Sequence, residues 1–165
     1  MRLERLGEFK VLTLRETPAE LWTVIGDTPE KVAEYCRSFI KTDARHNGEV
    51  ESLYVVHLST RRKIMGYSLI STGTLDTILV HPREVFRPAI VAVASAIVLL
   101  HNHPSGDPTP SEADIKVTRD LVRAGQLLKI DVLDHLIMGC ARAAEFGGTT
   151  KDYASLRELG YFTGF

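Results

Sequence analysis

One stretch constrains this chain more than any other. The apolar run Ala96-Ile97-Val98-Leu99-Leu100 ends in His101-Asn102-His103, and a proline- and glycine-rich loop then leads to Asp114. A continuous run of aliphatic and β-branched residues reads as a strand buried on both faces. On extended backbone, residues i and i+2 point the same way, so His101 and His103 can converge on one ion at the sheet end. Beyond the loop, Ser111–Lys129 reads as a helix in which Asp114, Val117, Leu121, Ala124 and Leu128 recur at alternating spacings of three and four. That periodicity puts the Asp114 carboxylate in line with a core-facing stripe. An ionised aspartate facing inward is costly unless it is paired or bound to a metal. Two imidazoles and a carboxylate supply three ligands for Zn2+ and leave a fourth position for water, as in hydrolytic rather than structural sites.

Blander readings of the same residues exist. Ser111-x-x-Asp114 resembles a capping box with Asp in place of the usual Glu. Capping accounts for the helix start but not for two histidines delivered beside it. Pro104, Gly106, Pro108 and Pro110 restrict the intervening backbone, which holds the ligands apart with little entropy left to lose. A further cluster, Asp134-His135, reads first as a structural hydrogen-bonded pair and second as a group that orients a ligand.

Composition narrows the class. A chain of 165 residues, 44% hydrophobic and 25% charged, is enough for one domain with a real core. A net charge of −1 gives no support to nucleic-acid binding through phosphate neutralisation. Arg61-Arg62-Lys63 reads as solvent-facing decoration of a hairpin turn. The two cysteines, Cys36 and Cys140, match no metal or redox spacing, which fits a reducing compartment. The charged N-terminus has no signal-like apolar region, and the Ala89–Leu100 run is too short to cross a bilayer. The expected location is the cytoplasm, with no membrane partner.

The remaining chain reads as alternating short elements. Residues 8–15 suggest a strand. Thr28-Pro29-Glu30-Lys31 suggests a capped helix start, with Val32, Cys36, Phe39 and Ile40 on one apolar face. Lys41–Val50 reads as a loop. Ser52–Leu58, Lys63–Ser71 and Gly73–Val80 read as strands of an antiparallel meander. Pro82–Val93 reads as a helix that Pro88 must either begin or kink. Asp131–Met138 is a last strand, and Ala141–Asp152 a loop. The order predicts an α+β fold with a mixed, mainly antiparallel sheet flanked by helices.

His-x-His-Pro, six residues, Ser, two residues, Asp resembles the signature of the JAB/MPN (JAMM) metalloprotease superfamily. Thr72-Gly73-Thr74, His81-Pro82-Arg83-Glu84-Val85-Phe86, His101-Asn102-His103-Pro104-Ser105-Gly106-Asp107-Pro108 and Leu133-Asp134-His135-Leu136-Ile137 resemble its RadC-type branch. The resemblance covers Glu49 to Gly160 and implies a cytidine-deaminase-like layout. It divides the chain into a strand-helix lead-in over 1–48 and a JAB/MPN domain over 49–165. It further implies that His101, His103 and Asp114 bind Zn2+ and that Glu51 acts as general base, with Glu49 two residues away as the alternative. Ser111 could donate a hydrogen bond to the tetrahedral oxyanion, or it could only cap the helix.

The implied activity is hydrolysis of a peptide or isopeptide bond in a protein or peptide substrate. A DNA-maintenance or protein-interaction module with the metal as a staple is the alternative, and a metal-dependent nuclease ranks last. A homodimer is compatible with an exposed edge strand.

Overall fold

Thr28 accepts a hydrogen bond from the Lys31 amide at the start of helix α1 (Pro29–Tyr35). This is the proline-opened, threonine-capped start read from the sequence. The computed structural model describes residues 24–73, 80–140 and 151–163. Helix α1 widens into a π-helical turn over Cys36–Ile40. Then come strands β1 (Ser52–Leu58) and β2 (Ile64–Thr72), helix α2 (Pro82–Val91), strand β3 (Ala96–Asn102), helix α3 (Glu112–Leu128), and strands β4 (Asp131–Met138) and β5 (Tyr153–Ser155).

The strands form one five-stranded sheet in the order β2-β1-β3-β4-β5. Strand β1 pairs antiparallel with β2 and β3, β3 runs parallel to β4 through α3, and β5 closes the edge antiparallel to β4. The sheet is therefore mixed and mainly antiparallel. The expected strand over 8–15 lies outside the described residues, as do most of the expected loop Ala141–Asp152 and most of the expected strand Gly73–Val80.

Every residue of β1 and β3 is buried, and alternation sorts their side chains between two layers. Tyr54, Val56, Leu58, Val98 and Leu100 pack with Val32, Tyr35, Cys36 and Ile40 of α1 and the π-helical turn. Leu53, Val55, Ile97 and Leu99 pack on the other face with Val85, Phe86, Leu121 and Val122 of α2 and α3. His101 continues the Ile97–Leu99 series, so its side chain emerges on the α2/α3 side.

Some boundaries differ from expectation for physical reasons. Strand β3 runs on through His101 to Asn102. Pro88 lies inside α2, where it lacks the N–H for one helical bond. The helix ends at Val91, and Val93, 83% exposed at φ 54°, belongs to the following turn. In α3 the buried stripe is Asp114, Ile115, Thr118, Leu121, Val122 and Gly125. Leu128 is 46% exposed because the chain leaves the helix at Lys129 in a left-handed C-cap. The expected stripe is thus rotated, and two of its true members, Thr118 and Gly125, carry no apolar signal.

Candidate metal centre

The end of β3 and the first turn of α3 meet at one point. His101 Nε2 and His103 Nε2 lie 2.9 Å apart. Asp114 Oδ1 is 3.3 Å from His101 Nε2, and Asp114 Oδ2 is 3.6 Å from His103 Nε2. One ligand atom from each residue lies within 4.8 Å of the other two. His101 and Asp114 are buried and His103 is half-buried.

Hydrogen-bond directions settle what these atoms offer. His103 Nδ1 lies 2.7 Å from the Asp107 carbonyl, which can only accept, so Nδ1 carries the hydrogen. His103 Nε2 is then the bare nitrogen unless the ring is charged. His101 Nδ1 lies 2.8 Å from His135 Nε2, and His135 Nδ1 lies 2.6 Å from Thr118 Oγ1. With His101 Nδ1 donating to His135, two bare imidazole nitrogens and a carboxylate face one another. Two lone pairs at 2.9 Å repel unless a proton or a cation sits between them, so the donor set fits a divalent ion.

The electrostatics agree. Burial pushes the His101 imidazolium well down, with the neighbouring His135 and His103 adding to the effect against Asp114. Burial likewise lowers His135 to about 4. For His103 burial also works against charge, but the nearby Asp114 carboxylate, the Asp107 carbonyl and the charge of Glu51 outweigh it, and the net shift is upward. Burial alone would raise Asp114, yet His103, His101 and two bonds from Ser111 hold it well below the carboxylate range. A proton on His103 Nε2, between the two imidazoles, and a divalent cation therefore compete for one place.

Ser111 is the N-cap of α3. Its hydroxyl donates to Asp114 Oδ2 at 2.6 Å, its amide donates to the same oxygen at 2.7 Å, and the Asp114 amide returns a bond to Ser111 Oγ at 3.2 Å. The capping box is thus present, and it orients the Asp114 carboxylate as well as closing the helix end.

Glu51 directly precedes β1. The β1–β3 register ends with Leu53 opposite His101, two residues after Glu51, and the Glu51 charge reaches His103. Asn102, the residue between the two histidines, accepts from the Ser52 amide and donates to the Val50 carbonyl, both at 3.0 Å. Its side chain replaces the strand ladder on either side of Glu51, while the Gly73 amide holds the Glu51 carbonyl at 2.8 Å. Glu49 is exposed in the turn before, its amide bonded to Asn47 Oδ1.

The Asp134-His135 pair divides its labour. Asp134 accepts from the His135 amide, the Ser155 hydroxyl and the Arg157 amide, which pins β5 to β4. The hydrogen-bonded Asp134-His135 pair expected from the sequence is thus present, and the His135 ring turns to the opposite face and touches His101. Asn102, Thr118 and His135 are the neighbours of the site whose sequence signatures are weak. The only available signals were an Asn inside His-x-His and an aspartate–histidine pair in an apolar strand.

An α/β/α sandwich that brings two imidazoles and a carboxylate to the end of a parallel strand defines a domain with a candidate cation site. The profile of the RadC-like JAB domain matches residues 26–161, and the chain belongs to that family. A UPF0758 protein of Caldanaerobacter subterraneus is 50% identical over 112 residues, which cover 68% of this chain and 44% of that relative. A UPF0758 protein of Desulfitobacterium hafniense is 53% identical over 110 residues, covering 67% and 44%. Another, of Methanosarcina mazei, is 41% identical over 111 residues, covering 67% and 44%. This chain therefore spans less than half the length of those relatives. No helix among the described residues is long and apolar enough to cross a membrane.

Proposed function

We propose that this domain is a metal-dependent hydrolase of JAMM type that cleaves a peptide or isopeptide bond, with Zn2+ held by His101, His103 and Asp114. The observation that carries the reading is the convergence of the two Nε2 atoms, 2.9 Å apart, on the Asp114 carboxylate. Imidazole and carboxylate donors suit zinc, and three protein ligands leave a position open. When bound, such an ion polarises a carbonyl and lowers the pKa of water towards about 7.

The chain's own residues supply the rest. Glu51, set beside His103 across the end of β1, takes the proton of the attacking water and returns it to the leaving nitrogen. Asn102 fixes the backbone on both sides of that glutamate. Ser111 holds Asp114 Oδ2, and by turning its hydroxyl towards the substrate carbonyl it stabilises the oxyanion. His103 is steered by the Asp107 carbonyl.

Two measurements test the reading. Metal analysis after zinc loading is expected to find one ion per chain, lost in Asp114→Ala. A peptide-library cleavage screen is expected to show zinc-dependent products that fall by about 10²–10⁴ in rate in Glu51→Gln while the ion is retained. A chain that cannot be loaded with zinc, or cleavage indifferent to Glu51, would falsify the proposal. Glu51-dependent cutting of DNA in a parallel assay with a DNA substrate would instead identify a nuclease.

A further inference from the structure

The contacts behind His101 determine where each hydrogen sits. Thr118 Oγ1 lies 2.6 Å from the Asp114 carbonyl oxygen and 2.6 Å from His135 Nδ1. A carbonyl only accepts, so the single hydroxyl hydrogen goes to Asp114, and the hydroxyl oxygen takes the hydrogen of His135 Nδ1. His135 is 1% exposed, and a second N–H on its ring would make an unpaired buried cation. Its Nε2 is therefore bare and accepts from His101 Nδ1 at 2.8 Å. The relay starts on the His101 ring, passes through His135 and Thr118, and ends on the backbone of Asp114. It thus joins two candidate ligands through three elements, β3, β4 and α3.

We propose that His135 and Thr118 are positioning residues, which together hold His101 in the tautomer that presents its Nε2 lone pair to a cation. This inference rests on the reading of His101, His103 and Asp114 as a cation site. Without an acceptor at His135, the buried His101 ring loses its reason to carry hydrogen on Nδ1. Hydrogen on Nε2 instead would block coordination at that atom. Thr118 acts one step back, since its committed hydroxyl is what keeps the His135 Nδ1 hydrogen in place.

The test uses the full chain with Zn2+ as the probe. Affinity is measured by competition with a chelator for the wild type, His135→Phe, His135→Gln and Thr118→Val. Long-range 15N–1H spectra of the histidine rings report the His101 tautomer. His135→Phe is expected to weaken zinc binding about 10- to 100-fold and to move hydrogen onto His101 Nε2. His135→Gln is expected to rescue affinity, because its amide oxygen can accept from His101 while its NH2 serves Thr118. Thr118→Val is expected to fall between them.

Wild-type affinity in folded His135→Phe, or wild-type His101 carrying hydrogen on Nε2, overturns the proposal. Failure of the wild type itself to bind zinc overturns the underlying cation site, a separate result. Thermal unfolding of the metal-free proteins shows whether His135→Phe folds. If it does not, Thr118→Val decides, and unchanged affinity and tautomer there overturn the relay.

Discussion

Ser111 shows how one side chain can be asked for two things. It closes the first turn of α3, and its hydroxyl is the proposed oxyanion donor. Ser111→Ala is expected to cost about 1 kcal/mol in a denaturant titration through loss of the cap. It is also expected to lower peptide turnover by about 10²–10³, measured with saturating zinc. Unchanged turnover would reduce Ser111 to a cap. The cysteines give a simpler contrast. Burial raises the Cys36 thiol to about 12, whereas Cys140 is exposed. A thiolate reagent at pH 8 is therefore expected to label the native protein once, at Cys140, with Cys36 reacting only after unfolding, as peptide mapping will show. At this scale the sequence was readable where chemistry sits close together along the chain, as with His101, His103 and Asp114. It spoke faintly where a polar side chain does buried work across the fold: the Asp134-His135 cluster stood out, but nothing in the sequence named its partners. Thr118, His135 and Asn102 register as surface-type residues in any hydrophobic pattern, and only the tertiary pairing of β1, β3 and β4 gives them partners.

The loop after His103 is held at its elements' ends. The His103 amide donates to the Met138 carbonyl, and the Cys140 amide donates to the Gly106 carbonyl, so the loop lies against the end of β4. A Cβ on Gly139 would collide with the Gly106 carbonyl oxygen and approach Pro108 Cδ to 2.9 Å. Gly139→Ala is therefore expected to push the loop away, destabilise the fold by about 1–3 kcal/mol, and weaken zinc affinity through His103. Unaltered chelator competition in a folded Gly139→Ala protein would show that the loop does not tension the histidine. Elements with a strong local signature were legible: the buried runs of β1 and β3, the proline-opened, capped start of α1 and the capping box of α3. Strand β5 was not, because three residues, Tyr153–Ser155, are too few for alternation to speak. The outward turn of Leu128 was also hidden, since the C-cap at Lys129 depends on Ile130 returning to the core.

Across the whole molecule, the candidate ligands bridge the sheet and the α2/α3 layer. A ligand that binds only the folded state stabilises it by about 2.7 kcal/mol at a hundredfold excess over Kd. For a chain of this size that corresponds to a rise in Tm of about 5–10 °C. Differential scanning calorimetry with increasing Zn2+ is expected to show such a rise, and Asp114→Ala is expected to abolish it. A Tm insensitive to zinc would mean that the ion does not tie the two layers together.

All three candidate ligands belong to one strand-loop-helix unit, whereas Glu51 enters from β1 and His135 from β4. The ligand atoms thus come from one continuous stretch of chain, while the groups proposed to orient His101 and to move the proton come from strands remote from it in sequence. Under the proposed function, full zinc affinity and turnover alike wait on the pairing of β1 and β4 with β3, not on the strand-loop-helix unit alone.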